Sequence, residues 1–146
     1  MANEDCFHLG LKAMISDPEG RVLLLQVNLQ ELSGYKGDAY WDIPGGRIHK
    51  GGNIVDTLKR EVAEETGIEW DGSGELLGAA LSNIRIPVDD GDVGLILFVY
   101  RCRLTDRPEV KLSSEHVAFK WMDSEEAATV LETKYPKEFT ELVRKM

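Results

Sequence analysis

Apolar residues come in short runs separated by Pro, Gly and charged positions, and the period of each run predicts the element it forms. Leu9 to Ile15 reads as a strand, Asp17-Pro18-Glu19-Gly20 as a tight turn, and Arg21 to Asn28 as the returning strand, so this stretch predicts a hairpin. Glu75 to Val88 and Val93 to Leu104 read as two further strands joined by Asp89-Asp90-Gly91-Asp92, an acidic turn too short for a calcium-binding loop. A last strand ends at Trp121. Between these, the period lengthens: Ile54, Val55, Leu58 and Val62 fall on one side of a helix from Asn53 to Gly67, with Asn53 as its N-cap. After Trp121, Asp123 or Ser124 caps a helix to about Lys134, and Glu125 and Glu126 sit favourably in its first turn. Pro136 opens a final helix whose Phe139, Leu142 and Val143 form an apolar face. No repeat, linker or low-complexity tract divides the chain, so residues 1–146 are expected to form a single domain.

The helix ending Arg60-Glu61-Val62-Ala63-Glu64-Glu65-Thr66-Gly67-Ile68 places carboxylates at i, i+3 and i+4. At about 100° per residue they project within an arc of roughly 100°. One reading is an ordinary solvated face. The other is a site for a hard cation, because the apolar stripe borders the acidic arc and puts Glu65 at the edge of the buried side, where like charges at i, i+4 repel more strongly. The segment before the helix adds to the second reading. Trp41-Asp42-Ile43-Pro44-Gly45-Gly46 is a short strand broken by Pro and two Gly, and Gly51-Gly52 stands just before the N-cap. Glycines let the backbone approach a metal or ligand closely, and a helix N-terminus offers free N–H groups to phosphate.

From Gly46 to Ile68 the chain resembles the Nudix box: Gly, five residues, Glu, seven residues, then Arg-Glu-apolar-x-Glu-Glu-x-Gly-apolar. Gly46, Arg60, Glu61, Val62, Glu64, Glu65, Gly67 and Ile68 match in register, while Gly52 stands where the box has Glu, giving eight of nine specified positions. The resemblance implies an α/β fold, an α/β/α sandwich around a mixed sheet, and water attack on a nucleoside diphosphate linked to another group. It also implies Mg²⁺ or Mn²⁺ held by Glu61, Glu64 and Glu65 beside Gly46. Arg60 would orient a neighbouring glutamate. With Gly52 in place of Glu, Asp56, four residues before Arg60, is the substitute partner that helical spacing offers.

The resemblance also gives a role to Glu115, in the loop before the strand ending at Trp121, where family members carry a metal-binding or base glutamate. Glu61, Glu64 and Glu115 are thus the candidates for general base, and His116 could join the proton chemistry only secondarily. For substrate binding, an aromatic stack with a few polar groups is expected. Trp41, Tyr35, Tyr40 and Arg85 lead the candidates, followed by Asn83, Lys120 and Lys36 of the loop Leu29 to Asp38. The resemblance inclines toward a nucleoside triphosphate pyrophosphohydrolase acting on modified nucleotides. Dinucleoside polyphosphates, ADP-ribose, a non-nucleotide diphosphate, or a weakly catalytic nucleotide-binding module remain open.

Composition narrows the partners. With 26 acids against 17 bases, a net charge of −9 disfavours nucleic-acid backbones and anionic membranes, and implies that an anionic substrate arrives with its metal. A small-molecule nucleotide is the expected partner, to a monomer or homodimer. Cys6 and Cys102 are too few and too far apart for a zinc pattern. The N-terminal residues lack a basic stretch followed by an apolar one, and a cytoplasmic location is expected.

Overall fold

The computed structural model describes residues 3–146. Its elements are β1 (Phe7–Ser16), β2 (Val22–Val27), β3 (Trp41–Asp42), β4 (Gly45–Arg47), α1 (Ile54–Thr66), β5 (Glu75–Leu81), β6 (Ile86–Val88), β7 (Gly91–Arg103), β8 (His116–Met122), α2 (Ser124–Leu131) and α3 (Lys137–Arg144).

Side-chain alternation in the central strands builds the layers. Leu11, Ala13 and Ile15 of β1, with Leu23 and Leu25 of β2, pack on Leu58 and Val62 of α1 and on Ile68 and Trp70. Met14, Val22 and Leu24 face the other way, onto Ala127, Ala128 and Leu131 of α2 and Phe139 and Val143 of α3. Both faces of the sheet are covered, which gives an α/β/α sandwich as the sequence implied. The sheet is mixed: β1 and β7 run parallel from Phe7↔Gly94 to Ser16↔Arg103, and the other pairings are antiparallel, in the order β3-β2-β1-β7-β5 with β4 on β1, β6 on β7 and β8 on β2.

The hairpin expected of the first two strands is closed only at its base. Asp17 holds the turn, accepting from the N–H groups of Glu19 and Arg21 and from the Arg107 guanidinium, and β1 meets β2 at Ser16↔Val22. Beyond that point the strands part, and Gly10 to Lys12 pair with Arg47 to Gly45 of β4 instead. Such close contact requires glycine. A Cβ on Gly45, whose φ is 153°, would lie 1.9 Å from the Leu11 carbonyl oxygen. The expected strand from Glu75 to Val88 is likewise two, β5 and β6, and α2 stops at Leu131 instead of Lys134.

Local chemistry fixes the ends of α1. Asn53 Oδ1 accepts from the Asp56 N–H at 2.9 Å, its amide donates back to Asp56 Oδ2 at 2.9 Å, and left-handed Gly67 ends the helix by donating to the Ala63 carbonyl at 2.9 Å. Among the described residues, no helix is long and apolar enough to cross a membrane.

Candidate active site

The splaying of β1 from β2 sets β4 against α1, and the acidic face of α1 meets the two glycines there. Gly45 N–H donates to Glu65 Oε1 at 2.8 Å. Glu61 lies over Gly46 so closely that a Cβ on that glycine would stand 2.5 Å from the glutamate Cδ. Glu64 is one turn farther out and more exposed. Arg60 Nη1 lies 3.1 Å from Glu61 Oε1 and 3.4 Å from Glu64 Oε2. The guanidinium does not go to Asp56, because Asn53 already holds that carboxylate in the capping pair.

Glu115 comes to the same place from 50 residues away in sequence, counting from Glu65. Its loop is tied to the end of β2, where Asn28 donates from its backbone N–H to the Glu115 carbonyl and from its side-chain amide to the Ser114 carbonyl, both at 2.9 Å. One donor atom each from Glu65, Glu115 and His116 then lie within 4.8 Å of one another. Glu61 and Glu115 line a common cavity of about 420 Å³ with Gly45 and Gly46.

This crowding raises two of its acids, Glu65 and Glu61. Burial pushes Glu65 up to about 8, the neighbouring Glu115 adds to the shift, and Lys12 and the Gly45 N–H oppose it. Glu61 is raised by burial, with Glu64 and Glu115 adding and Arg60 opposing. Burial lowers His116 to about 4, and its Nδ1 has no hydrogen-bond partner among the described residues. Carboxylate oxygens converging on a side-chain-free glycine corner, with an unpartnered imidazole nitrogen beside them, fit a hard divalent cation such as Mg²⁺ or Mn²⁺, which relieves the repulsion.

The expected substrate residues divide between several places. Tyr40 is buried and lines both the 420 Å³ cavity and a neighbouring one of about 760 Å³, which Tyr35, Lys36 and Arg85 also line. Tyr35 and Tyr40 meet edge to face, with ring centroids 5.3 Å apart. The Arg85 guanidinium is engaged by Asp5 at 2.8 and 2.9 Å and by Asp92 at 2.7 Å. Trp41 is half-buried against the α2–α3 core and lines neither cavity. Asn83 caps the end of α2 through the carbonyls of Glu132 and Tyr135, and Lys120 pairs with Glu126 at 2.7 Å.

Sequence reasoning passed over a hydrogen-bonded group of four residues, of which Lys12 and Lys134 line the smaller cavity. Asp42 Oδ2 accepts from Lys12 Nζ at 3.1 Å and Lys134 Nζ at 2.6 Å, and Asp42 Oδ1 accepts from the Tyr135 hydroxyl at 2.7 Å. The available signal was charge inside apolar runs: Lys12 between Leu11 and Ala13, and Asp42 between Trp41 and Ile43. Both lysines are 8% exposed. Although burial works against it, Asp42 is held well below the carboxylate range by the two ammonium groups. Burial brings Lys134 down to about 8, against the pull of Asp42. Lys12 is raised, because Asp42 and Glu65 outweigh its own burial.

Comparison with known proteins places this geometry in a family. The model of the NUDIX domain matches residues 7–144. Nudix hydrolase 6 of Arabidopsis thaliana is 32% identical over 122 residues, which is 81% of this chain and 40% of that protein, so the chain spans less than half its relative's length. The crystal structure of a MutT protein from Methanosarcina mazei Go1 superposes with a TM-score of 0.72 at 25% identity, covering 99% of this chain and 95% of the other. The dihydroneopterin triphosphate pyrophosphohydrolase of E. coli shares the fold, with a TM-score of 0.71 at 18% identity and 97% of each chain covered.

Proposed function

Since the chain belongs to the NUDIX domain family, we propose that it hydrolyses a phosphoric anhydride in a nucleotide, most specifically as a nucleoside triphosphate pyrophosphohydrolase. The observation that carries this reading is the convergence of Glu61, Glu65 and Glu115 on the Gly45–Gly46 corner, which lines a cavity of about 420 Å³. Mg²⁺ or Mn²⁺ held by Glu61, Glu64, Glu65 and Glu115 would neutralise the diphosphate oxygens and acidify the attacking water. Glu115 sits on a loop rim, exposed, and is the carboxylate to which this reading gives the water's proton. Glu65 is fixed by the Gly45 N–H, which suits holding charge more than moving a proton. Arg60 orients Glu61 and Glu64. Tyr40 and Tyr35 supply the aromatic wall on the nucleoside side.

One observation favours a second reading, a nucleotide-binding module with little turnover. Gly52 leaves Arg60 without a partner of its own, and its guanidinium rests on two carboxylates needed for the cation. The test is phosphate and pyrophosphate release from a panel of nucleoside triphosphates, dinucleoside polyphosphates, ADP-ribose and nucleotide sugars, with Mg²⁺ or Mn²⁺. Turnover by the wild type, absent without metal and abolished by Glu64→Gln, supports the hydrolase. Nucleotide binding with no turnover anywhere in the panel supports the module.

A further inference from the structure

The floor of the 420 Å³ cavity has donors to spare and no acceptor. An ammonium carries three N–H donors. Lys12 spends two, on Asp42 Oδ2 at 3.1 Å and the Ile43 carbonyl at 3.2 Å, and Lys134 spends one, on Asp42 Oδ2 at 2.6 Å. Among the described residues, one donor on Lys12 and two on Lys134 therefore lack a protein partner, and both residues line the cavity while nine-tenths buried. Asp42, the carboxylate that both lysines contact, is saturated: Oδ2 takes both lysines and Oδ1 takes the Tyr135 hydroxyl and the Ile43 N–H at 2.8 Å. Lys12 and Lys134 therefore offer unspent donors to a cavity that Tyr40, Ile86, Leu95 and Leu97 also line. Buried donors left unmade are costly, so a floor of this kind selects its complement.

We propose that Lys12 and Lys134 are specificity-determining residues and that the part of the substrate seated on them presents acceptor oxygen, as a ring carbonyl or a carboxylate, in preference to an amino or hydroxymethyl group. The inference rests on the proposed function for its orientation: a diphosphate held by the carboxylates Glu61 and Glu115 occupies the same cavity that Lys12 and Lys134 line, which brings the remainder of the nucleotide to their free donors. Aliphatic walls and a donor-only floor together accept a flat, oxygen-bearing group. They penalise a donor-bearing one by leaving ammonium facing amino group.

The test is calorimetric binding to the full chain, with Ca²⁺ in place of Mg²⁺ to slow turnover, of two matched pairs: ITP against ATP, and UDP-glucuronate against UDP-glucose. In at least one pair the oxygen-bearing member is expected to bind about tenfold tighter, the scale of one hydrogen bond to a charged group. A preference in the first pair identifies a ring carbonyl, and in the second a carboxylate. Lys134→Met, checked for folding by its melting curve, should bring that ratio toward one, and Lys12→Met should reduce it as well. Equal binding within both pairs of the wild type, an unchanged ratio in a folded Lys134→Met protein, or no binding of any of the four ligands overturns the inference. The wild-type comparison needs no variant to fold. A protein that shows the preference but turns nothing over with Mg²⁺ refutes the hydrolase reading and leaves this inference standing.

Discussion

Asp42→Asn isolates the most heavily committed charge in the fold. Asparagine keeps the shape of the side chain and, through Oδ1, its contacts with Tyr135 and the Ile43 N–H, and replaces the charged oxygen that Lys12 and Lys134 share with an NH2 that cannot accept from them. Each lysine is 8% exposed, so neither ammonium reaches bulk water when its partner is lost. Breaking a buried ion pair from one side costs about 3–5 kcal/mol. For a chain of this length, with about 3 °C of melting temperature per kcal/mol, the expected drop is roughly 9–15 °C. Urea denaturation measures the loss directly. Adding Lys134→Met to Asp42→Asn removes one of the stranded cations and should recover about 1–2 kcal/mol of it, a coupling within the usual range for contacting residues. The pH dependence carries the same signature. The pKa of Asp42 is depressed in the folded protein, so its contribution is complete above the unfolded value of about 3.9 and is lost as pH falls below it. Asp42→Asn should flatten that acid limb. The pKa of Lys134 is also lowered, to about 8, so the unfolded chain binds more protons than the folded one between there and 10.5, and stability gains from this group as pH rises through that window. A loss below about 1 kcal/mol for Asp42→Asn, or strict additivity with Lys134→Met, would refute the buried-charge account.

Three further outcomes follow from local geometry. Gly46→Ala puts a Cβ 2.5 Å from Glu61 Cδ and pushes that carboxylate aside; kcat/KM should fall by about a hundredfold, while stability, followed by thermal melting, changes by less than about 1 kcal/mol, because Gly46 does not use a positive φ. Asn53→Ala removes the cap of α1 and should cost about 1 kcal/mol in urea denaturation, with Asp56 freed as a visible competitor for Arg60 in a crystal structure. Gly52→Glu supplies a carboxylate near the start of α1 and should draw Arg60 off Glu61 and Glu64, tightening Mn²⁺ binding by up to about fivefold in a paramagnetic resonance titration.

Elements governed by neighbours in sequence were legible. Of the apolar stripe of α1, Leu58 and Val62 are buried while Val55 is 50% exposed. The Asn53 cap and Gly67 stop of that helix are local facts that the structure reproduces. So are the Asp123 cap of α2 and the turn between Val88 and Gly91. What the pattern of residues misjudged depends on partners distant in sequence. The first hairpin opens after one pair because β4, some 30 residues on, takes the edge of β1, where Gly45 and Gly46 allow the close approach. Asp56 looked like the partner of Arg60 by spacing alone, but Asn53 reaches it first. Leu142 was assigned to the apolar face of α3 and is 39% exposed, lying at the edge of that face over Gly78. In the site, the acidic trio and Glu115 were readable because the Nudix box and the loop before β8 carry them. The lysine floor was not, since Lys12, Asp42 and Lys134 are single charges in three separate segments and acquire meaning only when the fold brings them into hydrogen-bonding contact.

The central claim is that the carboxylates at the Gly45–Gly46 corner gather a divalent cation for anhydride hydrolysis, and the measurement closest to it is a Mn²⁺ titration that follows bound metal and nucleotide turnover in the same samples. Wild-type turnover should rise in step with bound metal, and Glu61→Gln should lose both together while its melting curve is unchanged. Full metal binding by Glu61→Gln, or turnover that proceeds without regard to bound metal, would contradict the account.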